Sequence, residues 1–117
     1  MNGEEERPRY RLEFSDAAEA EADAVYLWMG RKLGQAYANR WYRDMWDKTQ
    51  NLTLFPHMGQ RVPGRPETVR SLLHGRYRLL YLIVDPGEGE EEGVIRVLRV
   101  SHAAGRGAGE EDAAEQP

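Results

Sequence analysis

The chain has 117 residues, no cysteine and a formal net charge of −4 at pH 7. This length fits one domain with its own core, and the lack of cysteine excludes disulfides and thiolate metal sites. No apolar run reaches the roughly 18 residues that a membrane span needs, and the acidic start MNGEEERPR lacks the pattern of a secretory signal. We therefore expect a cytoplasmic protein that does not contact membranes.

The charges are distributed unevenly along the chain. All 16 lysines and arginines lie between Arg7 and Arg106, whereas seven of the 20 acids lie outside that span. Fourteen of the 16 cations are arginine, the residue better suited to forked contacts with phosphate or carboxylate. GC-rich coding produces the same excess, so both explanations stay open.

The two ends differ in composition from the centre. Residues 105–117 are rich in glycine, alanine and acids, with no apolar side chain larger than that of alanine. Such a segment buries too little surface to offset its ordering entropy. We expect a flexible N-terminus over residues 1–8, one domain over 9–104, and a disordered acidic tail over 105–117.

The first predicted elements are a strand and a helix. In RYRLEF (residues 9–14), apolar and charged residues alternate, which is typical of a half-buried strand. Ser15 or Asp16 then caps a helix, with Glu19 near the third helical position of a capping box. The predicted apolar face of this helix consists of Ala18, Ala22, Val25, Met29 and Leu33.

A second predicted helix begins directly after Gly34, so the two helices form an αα-hairpin. We expect it to run to about Phe55, where Pro56 and Gly59 end it. A loop rich in proline and glycine follows over residues 56–66. The apolar stripe of the second helix consists of Ala38, Trp41, Tyr42, Met45, Thr49 and Leu52.

Three further strands are predicted over residues 67–74, 77–84 and 94–102. A short turn joins the first two, and the polar connector DPGEGEEEG joins the last two. Connectors this short join antiparallel strands. The sequence thus predicts an α+β fold of order β-α-α-β-β-β, in which an αα-hairpin packs on one face of an antiparallel sheet and the other face stays partly open.

Several motifs in this order resemble the RelE/ParE superfamily of toxins from bacterial type II toxin–antitoxin systems. The passage NLTLFPHMG is similar to the family's L-x-x-x-P-x-x-G, and VRSLLHGRYRLLYLIVD and VIRVLRVSH are similar to its LR-x-L…YRI-x-Y and V-x-x-V-x-H strands. The resemblance covers the chain from about Tyr10 to Arg106. It implies the family fold, which agrees with the predicted element order.

The resemblance implies two alternative activities. RelE-like members cleave messenger RNA in the ribosomal A site, whereas ParE-like members poison DNA gyrase and lack the nuclease residues. Either implies growth inhibition, plasmid stabilization, neutralisation by a cognate antitoxin, and contact with operator DNA only through that antitoxin. A non-toxic relative that acts only in an autorepressing complex stays open as a third alternative. None of the three implies a cofactor or a metal.

Three residues are candidates for contacts with a target or with RNA. Arg78 matches the family's YR position, and it is either a phosphate, target or antitoxin contact or a strand-end cation paired with an acid. Arg70 lies near the position where nucleases carry a cation, and a solvent-facing role is the alternative. His102 matches the final histidine, which can act as an acid or base near neutral pH or bond structurally to a loop.

Two departures favour the ParE-like branch. RelE-like nucleases carry a C-terminal arginine and tyrosine, but no tyrosine follows Tyr81 here. Ala103 follows His102, where nucleases tend to place a cation. We therefore expect a ParE-like toxin without enzymatic activity; the alternative that the resemblance implies is a metal-independent endoribonuclease.

Two tryptophans are candidates for a partner surface. Trp28 and Trp46 lie beside the densest parts of their helical stripes, and exposed tryptophan is enriched where partners bind. Partial burial against the other helix is the alternative.

Truncation after Arg106 is predicted to leave the thermal midpoint of unfolding within about 5 °C of that of the full chain. The reason is that the tail brings no large apolar side chain to the core. Differential scanning calorimetry of the two chains measures the difference, and a larger drop would mean that the tail supports the folded domain.

Overall fold

The computed structural model describes residues 9–103. In chain order it contains β1 (Arg9–Phe14), α1 (Asp16–Leu33), α2 (Gln35–Gln50), two 3-10 turns (Asn51–Thr53 and Pro56–Met58), β2 (Gln60–Arg61), β3 (Val69–His74), β4 (Tyr77–Val84) and β5 (Glu92–His102). This order confirms the predicted β-α-α-β-β-β arrangement and adds the two-residue strand β2. The predicted flexible ends, residues 1–8 and 105–117, lie outside the described residues. Within the described part, no helix is long and apolar enough to cross a membrane.

The start of α1 is fixed by Ser15. Its hydroxyl accepts a hydrogen bond from the Ala18 N–H at 3.0 Å, which satisfies one of the free amides of the first turn. Because Ser15 rather than Asp16 is the cap, Glu19 is the fourth helical residue, and the capping-box interpretation is wrong. The predicted apolar face is buried except for Leu33, which is 51% exposed where the helix ends at the hairpin turn.

The hairpin between the helices turns at Gly34. Its φ of 101° lies in a region that residues with a side chain rarely adopt. The predicted end of α2 at Phe55 is wrong, because the helix ends at Gln50. The chain then tightens into a 3-10 turn, in which the amides of Leu54 and Phe55 both bond to the carbonyl of Asn51.

The sheet has the strand order β1-β5-β4-β3-β2. Strands β2, β3, β4 and β5 pair antiparallel, as predicted for strands with short connectors, but β1 pairs parallel to β5. The sheet is therefore mixed, and the expectation of a wholly antiparallel sheet is corrected at this one pair. The physical reason is that the αα-hairpin between β1 and the later strands leaves the direction of β1 free.

The alternation along β4 separates a buried face from an open one. Tyr77, Leu79, Tyr81 and Ile83 are at most 3% exposed and pack against the helices, whereas Arg78 and Val84 on the other side are exposed. The two helices thus cover one face, as predicted. The buried core comprises Ala18, Ala22, Val25, Met29, Ala38, Trp41, Met45, Leu52, Tyr77, Leu79, Tyr81, Ile83, Ile95, Val97 and Val100.

The loop after α2 is held by the hydroxyl of Tyr81. This hydroxyl donates to the Pro56 carbonyl at 2.6 Å and accepts from the Gly59 N–H at 2.9 Å. A side chain at Gly59 is not tolerated, since its Cβ would lie 2.6 Å from the carbonyl oxygen of Ser71. Arg70 completes the arrangement by donating to the Gly59 carbonyl at 3.1 Å.

Substitution Tyr81→Phe is predicted to lower the free energy of unfolding by about 1–3 kcal/mol, because it leaves two backbone groups of the loop without their partner. Urea denaturation measures this loss, and hydrogen exchange of the Gly59 amide should become faster. Tyr10→Phe is the matched control, since its hydroxyl bonds only to the exposed Asp85 and its removal should cost less. Equal costs for the two variants would contradict this account of the loop.

Candidate partner-binding surface

Arg78 lies on the open face of the sheet, near the turn between β3 and β4. It is exposed, and its Nη1 atom donates a long hydrogen bond of 3.4 Å to the hydroxyl of Ser71. Its cross-strand neighbours are Leu73 and Ser101. In the part of the chain that the structure describes, Arg78 forms no ion pair, so its guanidinium keeps free donors that face solvent.

Apolar side chains lie on the same face of the sheet as Arg78. Leu73 is 49% exposed, Leu80 and Leu82 are half-buried, and Val84 is exposed at the far end of the strand. A cation beside an apolar strip fits a partner segment that combines carboxylates with apolar side chains.

Two arginines at the β1 side of the open face, Arg11 and Arg96, are paired with an acid. Arg96 donates to Glu13 at 2.8 Å, and Arg11 lies 3.3 Å from the same carboxylate. Arg96 holds the pKa of the Glu13 carboxyl below its usual value, mainly through this hydrogen bond. Arg11 and Arg96 are thus engaged by Glu13, whereas Arg78 near the β3–β4 turn has no acidic partner among the described residues.

The other two candidate cations point to the opposite side. Arg70 pairs with Tyr81 across the sheet, and its side chain is only 11% exposed because it bonds to the Gly59 and Glu67 carbonyls. His102 pairs with Tyr77 and packs edge-on against its ring at 5.2 Å. The three candidate residues therefore do not converge: Arg78 faces one side of the sheet, and Arg70 and His102 face the other.

The two candidate tryptophans lie on the helical side. Trp28 is half-buried and packs against the core. Trp46 is 44% exposed, and its ring stacks on that of Phe14 at 5.7 Å. Of the two, only Trp46 offers a large apolar surface to solvent.

Glu21 plays a role that the sequence analysis did not assign. Its carboxylate accepts hydrogen bonds from the Val100 N–H at 2.7 Å and from Nε and Nη2 of Arg99 at 2.9 and 2.7 Å. It thereby covers the edge of β5 where β1 has ended. The sequence did indicate that Glu21 faces the sheet. It lies three residues after Ala18 and four before Val25, and both of these are buried on one face of α1.

A small aromatic cluster closes the end of the sheet under the β3–β4 turn. The ring of Trp41 lies 5.4 Å from that of His74 and 5.6 Å from that of Tyr77. His74 Nε2 lies 3.1 Å from the Trp41 carbonyl oxygen, so this nitrogen must carry a proton. Burial lowers the pKa of His74, although Asp44 acts in the opposite direction.

Residues 9–103 were considered as a site for a metal ion or a small ligand. The described residues contain no group of three or more histidine, cysteine, aspartate and glutamate side chains placed to hold a metal ion. A wide, open cavity of about 380 Å³ lies at the start of β1, where Arg9 and Arg11 face Glu90, Glu91 and Glu92. Because arginines and glutamates line the same cavity, their opposite charges partly cancel, and the cavity attracts neither anions nor cations strongly.

Comparison with known proteins identifies the family. Residues 12–106 match the family described as "ParE toxin of type II toxin-antitoxin system, parDE". The chain therefore belongs to the ParE toxin family. No curated protein matches the sequence.

Two solved structures are similar in fold. The chromosomal ParDE system from P. aeruginosa superimposes with a TM-score of 0.61 at 20% identity, over 80% of this chain and 96% of that one. The toxin–antitoxin complex RelBE2 from Mycobacterium tuberculosis gives a TM-score of 0.49 at 20% identity, over 84% of this chain and 95% of that one. The first of these confirms the fold.

Stability is predicted to fall as the pH drops below about 6.5, the usual pKa of histidine. Because the folded state lowers the pKa of His74, the unfolded chain binds more protons there, and unfolding becomes easier by at most about 1.4 kcal/mol per pH unit. Urea denaturation between pH 5.5 and 7 measures this slope. His74→Gln, which can still donate to the Trp41 carbonyl, should flatten it; an unchanged slope in that variant would assign the pH dependence to other groups.

Proposed function

We propose that this member of the ParE toxin family is the toxin of a type II module, that it inhibits DNA gyrase by binding to it, and that a cognate antitoxin neutralises it in the cytoplasm. The observation that carries the proposal is the position of Arg78: an exposed arginine without an acidic partner among the described residues, set in an apolar strip on the open sheet face. Such a surface suits recognition of another protein.

The arrangement of the other cations favours binding over RNA cleavage. Metal-free cleavage needs a base, an acid and cations that converge on one phosphate. Arg70 is engaged by the loop carbonyls, and His102 packs on Tyr77 on the helix side. Arg78 would have to act from the opposite face, away from both. A RelE-like ribonuclease thus has less support than a binding toxin.

The antitoxin is proposed from the family and from the surface together. The solved structure from P. aeruginosa is that of a ParDE toxin–antitoxin system. On this chain, the surface formed by Arg78 and Leu73 suits a segment with carboxylates and apolar side chains. Operator DNA would then be contacted through the antitoxin.

Expression of the chain without an antitoxin is predicted to inhibit growth, with early DNA damage signalling and cell filamentation while translation continues. Arg78→Ala should fold, because only one long hydrogen bond is lost, but should abolish most of the inhibition. Arg78→Lys should restore little, since lysine lacks the planar fork of arginine. Pulse labelling of DNA, RNA and protein synthesis in the same cultures measures these effects.

Three results would contradict parts of this proposal. Immediate translation arrest with cut messages would identify a ribosome-dependent ribonuclease. Growth without any inhibition by the soluble, folded parent chain would identify a non-toxic relative. Full toxicity of Arg78→Ala would place the target contact elsewhere, with the exposed Trp46 as the next candidate. Arg43→Ala, on the exposed face of α2, is the matched control and should remain toxic.

Arg78→Glu is predicted to weaken the complex with the antitoxin by about tenfold or more, which corresponds to about 1.4 kcal/mol. The reason is that the reversed charge would face carboxylates of the partner segment. Isothermal titration calorimetry with the purified antitoxin measures the change, and Arg43→Glu serves as the control. Unchanged affinity for Arg78→Glu would place this residue outside the antitoxin interface.

A further inference from the structure

One segment of the chain carries many cations and few acids. Between Lys48 and Val84 the sequence has six lysines and arginines and a single acid, Glu67. Lys48 donates to the Leu73 carbonyl, and Arg70 is held by its loop. The remaining cations of this segment are all exposed and form no ion pair with any described residue; they are Arg61, Arg65, Arg76 and Arg78.

The described chain ends beside two of these arginines. The Ala103 N–H donates to the Arg76 carbonyl at 2.8 Å, and Ser101 lies directly opposite Arg78 in the sheet. Neighbouring strands are about 4.8 Å apart. Whatever follows Ala103 therefore starts at the cationic end of the open face.

The sequence that follows is suited to this surface. Residues 104–117 carry four acids, Glu110, Glu111, Asp112 and Glu115, after a stretch in which every second residue from 105 to 109 is glycine. Glu110 is the seventh residue after Ala103, so their Cα atoms can lie at most about 25 Å apart. Glycine permits the backbone reversal that would carry these acids back over the sheet.

The other acidic segments of the chain start at the opposite end of the strands. The β4–β5 connector begins at Asp85, which accepts a hydrogen bond from Tyr10, and ends at Glu92, which pairs with Arg9 in the sheet. The N-terminal acids precede Arg9 and so enter at the same end. The eight residues of β4 place roughly 25 Å between the two ends.

We propose that the acidic tail, residues 107–117, folds back onto the open sheet face and occupies the surface formed by Arg76, Arg78 and Leu73. The contact is electrostatic, since the tail has no large apolar side chain, and it does not require the tail to stabilise the core. Individual exposed ion pairs are weak, but a short tether gives an effective concentration in the millimolar range. The tail would thereby shield this surface from acidic segments of a partner. This effect on a partner rests on the proposed function, but the contact between the tail and the sheet does not rest on it.

The test uses the full chain with a nitroxide label at Ala114→Cys, which is specific because the sequence has no cysteine. Paramagnetic broadening of backbone amides is compared with that of the same labelled chain carrying Glu110→Gln, Glu111→Gln, Asp112→Asn and Glu115→Gln. At about 20 mM salt, the parent should show at least twofold greater broadening at Leu73, Arg76 and Arg78. At about 0.5 M salt the difference should vanish, because the Debye length shrinks to a few Å.

Two further variants locate the contact. The double substitution Arg76→Gln and Arg78→Gln should reduce the broadening to the level of the neutral tail. Glu4→Gln, Glu5→Gln and Glu6→Gln, which neutralise acids that enter at the other end, should leave it unchanged. Coinciding profiles for parent and neutral tail at low salt would overturn the proposal, as would full broadening in the Arg76→Gln and Arg78→Gln chain. Neither result depends on toxicity or on an antitoxin.

Discussion

The parallel pairing of β1 with β5 determines where the helices and the open face lie. Because β1 ends beside Val97, the chain enters α1 next to the middle of β5, and the Ser15 amide and hydroxyl bond to the Val97 and Leu98 carbonyls. Beyond this point no strand within residues 9–103 pairs with this edge of β5, and Glu21 in the second turn of α1 bonds to the Val100 amide there. The position of β1 thus fixes the start of α1 and places both helices on one face of the sheet. It also brings Glu21 of α1 to the exposed edge of β5.

The family-like passage L-x-x-x-P-x-x-G has a structural reason in this chain. The spacing of three residues between Pro56 and Gly59 places a carbonyl and an N–H on one turn, where the single hydroxyl of Tyr81 satisfies both. The absence of a side chain at Gly59 lets the loop approach the carbonyl of Ser71. Arg70 then holds the far side of the loop. Proline, glycine and one of the candidate arginines are therefore explained by folding and need no ligand.

The sequence predicted those features whose causes are local. The Ser15 cap, the Gly34 turn and the antiparallel pairing of β3, β4 and β5 follow from neighbouring residues and short connectors. The direction of β1 could not be predicted in this way, because two helices separate β1 from its partner strand in the sequence. Alternation along β4 is local and places Arg78 on the open face, whereas the burial of Arg70 depends on a carbonyl that only the folded loop brings near. The end of α2 was placed too late because its apolar stripe continues to Leu52 in the 3-10 turn.

The separation of Arg78 from His102 is a consequence of the core. Successive residues of a strand point to opposite faces, so bringing Arg78 to the side of His102 would require β4 to shift by one residue against β5. That shift would expose the whole buried row of β4, Tyr77, Leu79, Tyr81 and Ile83. Side-chain motion cannot substitute for it, because the sheet lies between the two groups. A chain with this core can therefore use Arg78 to contact a partner across the open face, but joint acid–base chemistry with His102 would require a different sequence in β4.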